Sequence, residues 1–165
     1  MAEQSKKVIL KTNDDNIFEI EQDIVKQFRT LNAMMEEEGF AESSIPLPNI
    51  GSSELTPIID YCRKHSEFRT SDRDRSGDAK AFDEAFVKGF NSDELKGLML
   101  AANYLDFKEL LDLLCQGTAD RIKNKSVKYV RDFFGINNDY TPEEENALRE
   151  KHAWAYEGVD ADDDE

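Results

Sequence analysis

The sequence predicts an α+β fold in which a small N-terminal sheet precedes a run of helices. Two short apolar runs, residues 7–12 and 17–20, flank a polar turn and have the pattern of a β-hairpin. From about residue 91 onward, apolar residues recur at helical spacing. A polar stretch of mixed charge separates the two regions, so we expect a sheet-containing part, a linker and a helical part.

A single helix is predicted directly after the hairpin. Ile24, Phe28, Leu31 and Met35 fall on one helical face, and Asp23 is placed to cap its N-terminus.

An apolar segment with two prolines, residues 45–50, follows that helix. Proline cannot donate to a strand ladder, so the segment is predicted to be an edge strand or an extended connection. Ser53 or Thr56 can then cap a second helix, with Pro57 in its first turn. The buried stripe of that helix consists of Leu55, Ile58, Ile59 and Cys62.

The C-terminal half carries clear helix boundaries. Asn91 with Glu94, and Thr141 with Glu144, have the spacing of a capping box. Gly135 follows an apolar run at 127–134 and is typical of a helix end. We therefore expect helices throughout this half, with the last one ending near Trp154.

Net charge argues against several classes of partner. The chain of 165 residues carries a net charge of −15, so nucleic acids and anionic membrane surfaces would be repelled. Nine of these charges come from residues 139–165, which hold eleven acidic and two basic residues. This end either solubilises the chain or steers a basic partner towards it.

No pattern of an enzyme or of a metal site stands out. The sequence has no phosphate-binding loop, nucleotide fingerprint or nucleophile elbow, and we expect neither catalysis nor a cofactor. Cys62 and His65 have a metal-like spacing but lack nearby partner ligands, so we predict no metal site. Two separate cysteines and no apolar run long enough to span a bilayer indicate a reducing compartment, the cytoplasm and nucleus.

Large apolar side chains are concentrated in the otherwise acidic C-terminal end. They are Phe133, Phe134, Ile136, Tyr140, Trp154 and Tyr156. Either they fold back and complete a core, or they form a surface for a partner. Exposed apolar surface also leads us to expect weak homodimers of the free chain.

Several segments carry a resemblance to a known family. Residues 45–50 read IPLPNI, residues 100–106 read LAANYLD and residues 110–112 read LLD. Residues 137–145 read NNDYTPEEE, and Trp154 follows. In order and spacing, the chain resembles the Skp family (S-phase kinase-associated proteins) over residues 6–154.

This resemblance implies a BTB/POZ-type fold with a helical C-terminal extension. It also implies a non-catalytic adaptor that binds a cullin and F-box proteins in SCF-type ubiquitin ligases. The implied organisation is a BTB/POZ-type part (residues 1–66), a polar linker (67–80), helices that complete the core (81–125), F-box-binding helices (126–156) and a disordered acidic tail (157–165).

Site residues follow from the resemblance. Asn103 and Tyr104 occupy cullin-facing positions, although Tyr104 is also compatible with a core aromatic. The F-box-facing positions are Leu95, Leu111, Phe134, Ile136 and Trp154. Of these, Leu95 and Leu111 lie on helical stripes typical of a core.

Some segments differ from the usual family pattern, among them residues 126–130 and Gly135, and they indicate a divergent paralogue. A BTB-like adaptor of another assembly, similar to elongin C, is the alternative. The extension at 126–154 favours the Skp family, because elongin-C-like proteins lack it.

Overall fold

The computed structural model describes residues 6–36, 44–71 and 73–161. Within these ranges, the chain forms a three-stranded sheet and eight α-helices. The strands are β1 (Lys7–Thr12), β2 (Ile17–Glu21) and β3 (Ile45–Leu47). The α-helices are α1 (Gln22–Val25), α2 (Arg29–Glu36), α3 (Ser52–Thr70), α4 (Ser76–Lys88), α5 (Ser92–Tyr104), α6 (Lys108–Ile122), α7 (Val127–Phe134) and α8 (Pro142–Lys151), followed by a 3-10 helix (Ala153–Tyr156).

The predicted hairpin and edge strand are confirmed. β1 lies at the centre of the sheet, antiparallel to β2 and parallel to β3. Leu10 of β1 is opposite Phe18 of β2 and Ile45 of β3. Pro46 is tolerated because β3 is an edge strand, where a missing N–H costs no ladder bond on the open side.

The single helix predicted after the hairpin is wrong, because the chain forms α1 and α2 with a turn between them. Phe28 lies in this turn, is fully buried and packs edge-on against Phe107 at a centroid distance of 5.4 Å. The start of α2 is held by α5, since Thr30 donates from its N–H to Leu105 O (3.3 Å) and from Oγ1 to Tyr104 O (2.9 Å). These tertiary bonds override the continuous helical pattern. Asp23 lies inside α1 and is not its N-cap.

The predicted linker at 67–80 is too long, because α3 continues to Thr70 and α4 begins at Ser76. Phe68 explains the extension of α3. Its ring packs against His65 within α3 (5.8 Å) and against Phe82 of α4 (6.0 Å). One aromatic side chain in a polar stretch is therefore enough to extend both helices towards each other.

The start of α3 also differs from the prediction. Gly51 is the N-cap, so neither Ser53 nor Thr56 caps the helix and Pro57 lies beyond the first turn. Glu54 accepts a hydrogen bond from Gly51 N at 3.1 Å. The carboxylate of Asp14, in the β1–β2 turn, accepts from both the N–H and the hydroxyl of Ser52. The hairpin turn thus caps a helix that begins 38 residues later.

Both predicted capping boxes are confirmed. Glu94 N–H donates to the Asn91 side chain, and Asn91 N–H donates to the Glu94 side chain, each at 2.9 Å. Thr141 and Glu144 form the same reciprocal pair at the start of α8. Gly135 ends α7 in the left-handed conformation, with φ at +63°.

The core lies between the sheet and the central helices. Tyr61 of α3 is almost fully buried beside Phe107, whose ring centroid is 6.0 Å away. A row of aromatic rings extends along α4 to Tyr61. It consists of Phe82 and Phe86 of α4 and of Phe90, two residues after the helix ends. None of the helices in the described ranges is both long and apolar enough to cross a bilayer.

A close approach joins α4 to α6. A methyl group added at Gly117 of α6 would overlap Cγ1 of Val87 in α4. Four residues later, Arg121 donates to the carbonyl oxygens of Val87 and Phe90 at the end of α4. Gly117 and Arg121 therefore fix the distance between these two helices.

We predict that Gly117→Ala destabilises the protein by about 1–3 kcal/mol, because the added methyl overpacks the α4–α6 contact. Thermal unfolding would measure the effect. Gly77→Ala in α4 is the matched control, since nothing lies within 4 Å of a methyl group there. The double variant Gly117→Ala, Val87→Ala should lose less stability than the two single variants added together.

Asp14 gives the fold a dependence on pH. Hydrogen bonds from the Ser52 side chain and then the Thr12 side chain hold the pKa of Asp14 well below its ordinary value of 3.8. A lowered folded-state pKa means that this stabilisation is present above pH 3.8 and is lost as the pH falls below it. We expect the melting temperature of the wild-type protein to fall between pH 7 and pH 3 by more than that of the Asp14→Asn variant. An equal fall in the two proteins would contradict this role of Asp14.

Candidate functional site

The outer side of α5 is the first candidate surface. Leu100, Asn103 and Tyr104 are spaced i, i+3 and i+4, so they share one face of the helix. We call this set the α5 face. Leu100 is 72 % exposed, Asn103 is exposed and Tyr104 is half-buried. The opposite side of the helix is buried in the core through Leu95, Leu98, Ala101 and Ala102.

Polar contacts fix the end of the α5 face. Thr30 binds the carbonyl oxygen of Tyr104, and Arg29 lies 3.6 Å from the carboxylate of Asp106. Asp106 has a positive φ of 50°, so the chain turns sharply after α5. The α5 face is therefore held by the start of α2 and has charged groups at its border.

Leu100 was not among the predicted site residues. Leu98 and Ala102 of α5 are buried, and Leu100 lies on the other side of the same helix. A leucine two residues from a buried position in a helix points away from the core, and this signal was available in the sequence.

The second candidate surface lies on the C-terminal helices. We call it the C-terminal face and define it by Phe134, Ile136, Tyr140 and Trp154, all of which are exposed. Trp154 is the most exposed of them, at 75 %. Side chains of this size on a free surface are typical of a partner-binding site.

The large apolar side chains of the C-terminal end divide into one that joins the core and several that are exposed. Phe133 is buried and packs on the core, with its ring centroid 5.0 Å from that of Phe134. Phe134, the next residue, points outward. Ile136 N–H bonds to Arg131 O at 2.8 Å across the glycine that ends α7, which fixes the path of the chain beyond this helix.

Polar contacts connect α8 to α7. None of the ten described residues of α8 is buried. Arg131 of α7 lies 3.1 Å from the Glu145 carboxylate, and Asn138 donates to the same carboxylate at 3.2 Å. The hydrogen bond from Arg131 lowers the pKa of Glu145 from its ordinary value. α8 is thus attached by charge and hydrogen bonds and not by an apolar core.

Two of the predicted F-box-facing residues belong wholly or partly to the core. Leu95 is fully buried, and Leu111 is half-buried against the core. Phe134, Ile136 and Trp154 are accessible as expected.

Cys62 and His65 are structural residues. Burial raises the pKa of the Cys62 thiol to about 12, so it remains protonated and is a poor nucleophile or metal ligand. His65 Nε2 lies 2.7 Å from the Asp83 carboxylate and joins α3 to α4. Among residues 6–36, 44–71 and 73–161, no group of three His, Cys, Asp or Glu side chains could hold a metal ion.

Two family models match the chain. Residues 6–67 match the Skp1 family, tetramerisation domain, and residues 108–155 match the Skp1 family, dimerisation domain. The second match includes α6, α7, α8 and Trp154.

Individual proteins match across almost the whole length. SKP1-like protein 14 of Arabidopsis thaliana is 39 % identical over 153 residues, which covers 93 % of this chain and 99 % of the relative. SKP1-like protein 4 of Arabidopsis thaliana is 41 % identical over 165 residues, covering 95 % of this chain and 100 % of the relative. The SCF ubiquitin ligase complex protein SKP1a of Dictyostelium discoideum is 39 % identical over 153 residues, with 89 % and 94 % covered.

The chain belongs to the Skp1 family. The resemblance found in the sequence is confirmed, and so is the expected α+β fold of BTB/POZ type. In this Skp1-family chain, the C-terminal face lies within the second matched segment. The α5 face lies between the two matched segments.

Proposed function

We propose that the chain is a non-catalytic adaptor that joins a cullin scaffold to F-box substrate receptors in an SCF-type E3 ubiquitin ligase. The α5 face would bind the cullin, and the C-terminal face would bind the F-box. The observation that carries the proposal is the exposure of Trp154, on a segment that, together with α8, contributes no buried residue to the core. Membership of the Skp1 family, with a relative named as a protein of the SCF complex, supports it.

The chemistry of the C-terminal face suits a short apolar helical partner. Phe134 is the last residue of α7, Ile136 follows the turn that ends this helix, and Trp154 is on the segment that follows α8. Aromatic side chains of this kind often supply most of the binding energy of an interface. An F-box segment that buried them would gain apolar contacts without disturbing the body of the fold.

The chemistry of the α5 face suits a second partner of different character. One exposed leucine is combined with the amide of Asn103 and the ring of Tyr104, and Arg29 and Asp106 form a charged border. Because the two faces share no residue, both partners could bind at once. Such simultaneous binding is what an adaptor needs, and we place its action in the cytoplasm and nucleus.

Weak homodimers in the absence of an F-box partner are part of the proposal. The exposed side chains of the C-terminal face would then be covered by a second copy. The family model that matches residues 108–155 is described as a dimerisation domain, which supports the proposed homodimer.

Co-expression tests the adaptor function directly. The chain is produced with an F-box segment, with a cullin N-terminal domain, or with both, and is analysed by size-exclusion chromatography. We expect two binary complexes and one ternary complex. Binding of the F-box segment alone would restrict the chain to a role outside cullin ligases, and absence of both complexes would refute the proposal.

We predict that Trp154→Ala weakens binding of the F-box segment by about 2 kcal/mol or more, because an interface tryptophan often carries this share of the affinity. Isothermal titration calorimetry would measure the loss. The melting temperature should not change, since the side chain is 75 % exposed. Ile17→Ala is the matched control: Ile17 is 68 % exposed on β2, and its loss should leave F-box binding intact.

We predict that Tyr104→Lys abolishes cullin binding and spares F-box binding, because it places a charge in the middle of the α5 face. Pull-down with each partner would show the difference. Leu100→Lys provides a second variant at a more exposed position and guards against a folding defect caused by the half-buried Tyr104. Retained cullin binding in both variants would place the cullin site elsewhere on the protein.

A further inference from the structure

The segment 157–161 lies against the loop between α6 and α7. Asn124 Nδ2 donates to Gly158 O at 2.9 Å, and Asp160 N–H donates to Asn124 O at 2.9 Å. Lys125 Nζ donates to Ala161 O at 3.1 Å. The acidic tail predicted to be disordered is therefore bound in place over its described part, residues 157–161. Residues 162–165 lie outside the described residues.

Asn124 makes two of these three bonds. Its φ is +59°, in the left-handed region that asparagine enters more readily than most residues. Its carbonyl oxygen and its side-chain amide both bind the segment, one as acceptor and one as donor. Asn124 therefore binds two residues of the segment, Gly158 and Asp160. Gly158 has a φ of +69° and turns the chain towards Asn124.

This contact matters because the preceding residues have few other attachments. None of the described residues of α8 or of the 3-10 helix is buried. On the N-terminal side of Trp154, Arg131 binds Glu145. The Arg149 guanidinium lies over the Tyr156 ring at 5.1 Å from Cζ to the centroid, so this contact joins a residue before Trp154 to one after it. The bonds to residues 158–161 follow directly, and the segment that carries Trp154 is attached on both sides.

Charge complementarity favours the same contact. The stretch 121–128 contains four basic residues and no acidic residue, in a chain whose net charge is −15. The segment that binds to it contributes Glu157 and Asp160. Opposite charges on the two sides add attraction to the three hydrogen bonds.

We propose that Asn124 is a positioning residue that binds the segment 157–161 as a strap and thereby holds Trp154 in place for its partner. The inference rests on the proposed function in one respect, namely that the partner is an F-box segment. Positioning lowers the conformational entropy that binding would otherwise cost, so the strap contributes to affinity without contacting the partner.

Asn124→Gly tests the proposal in the full chain. Glycine keeps the left-handed backbone at no steric cost and removes the side-chain amide. We expect the Asp160 amide to exchange with solvent about threefold to tenfold faster, as loss of one hydrogen bond predicts. Trp154 is the only tryptophan in the sequence, so its fluorescence anisotropy reports on its own segment and should fall.

Lys123→Arg is the matched control. It changes the side chain of the adjacent residue, keeps its positive charge and leaves both bonds of Asn124 intact, so it should change neither readout. Unchanged amide exchange in Asn124→Gly would overturn the strap. Faster exchange of the Asp160 amide with unchanged Trp154 anisotropy would overturn the positioning role. The bond to Asn124 would then order residues 157–161 without restricting Trp154.

F-box binding separates this inference from the proposed function. If wild type binds the F-box segment, Asn124→Gly should bind it about threefold to tenfold more weakly, and equal affinity would overturn the positioning role. If wild type does not bind it, the proposed function fails. Amide exchange and Trp154 anisotropy then still decide whether Asn124 holds the strap.

Discussion

Burial of one side of α5 between α3 and α6 is the constraint on which the rest of the structure depends. Leu95, Leu98 and Ala102 are turned into the core, so the spacing of the helix forces Leu100, Asn103 and Tyr104 outward. The same placement brings the end of α5 to Thr30, which binds the Tyr104 carbonyl and splits the first helical segment into α1 and α2. Burial of this one side of α5 therefore produces both the α5 face and the turn at Phe28.

The C-terminal extension is built on a different principle. α7 is attached to the body by apolar packing, through Phe133, whereas α8 is attached by the Glu145 contacts and the strap at Asn124. The Arg131–Glu145 pair is partly buried, whereas the bonds of the strap are exposed. Exposed polar contacts are individually weak and are screened by salt. The C-terminal extension thus exposes large apolar side chains but is itself attached to the core by few apolar contacts.

Features set by neighbouring residues could be predicted from the sequence. The hairpin turn, both capping boxes and the glycine that ends α7 depend on residues within about five positions of one another. The errors arise where distant residues decide the outcome. Asp14 caps α3 across 38 residues, and Phe68 extends α3 through its contact with Phe82. The strap joins residues 34 positions apart.

The candidate surfaces were predictable to a similar extent. Tyr104 and Trp154 were found through the family resemblance, and the structure leaves both accessible to different degrees. Leu100 could have been found from its helical position alone. Asn124 could not, because nothing in the sequence shows that residues 157–161 return to it. Leu95 illustrates the opposite error, since a family contact position is fully buried in this conformation.

The absence of buried residues among the ten described residues of α8 has an evolutionary consequence. Mutations at the exposed positions of this helix cost little folding free energy. Its sequence can therefore drift in duplicated genes while the core of the protein is retained. Divergence of the outer surface and conservation of foldability then fall on separate stretches of the same chain.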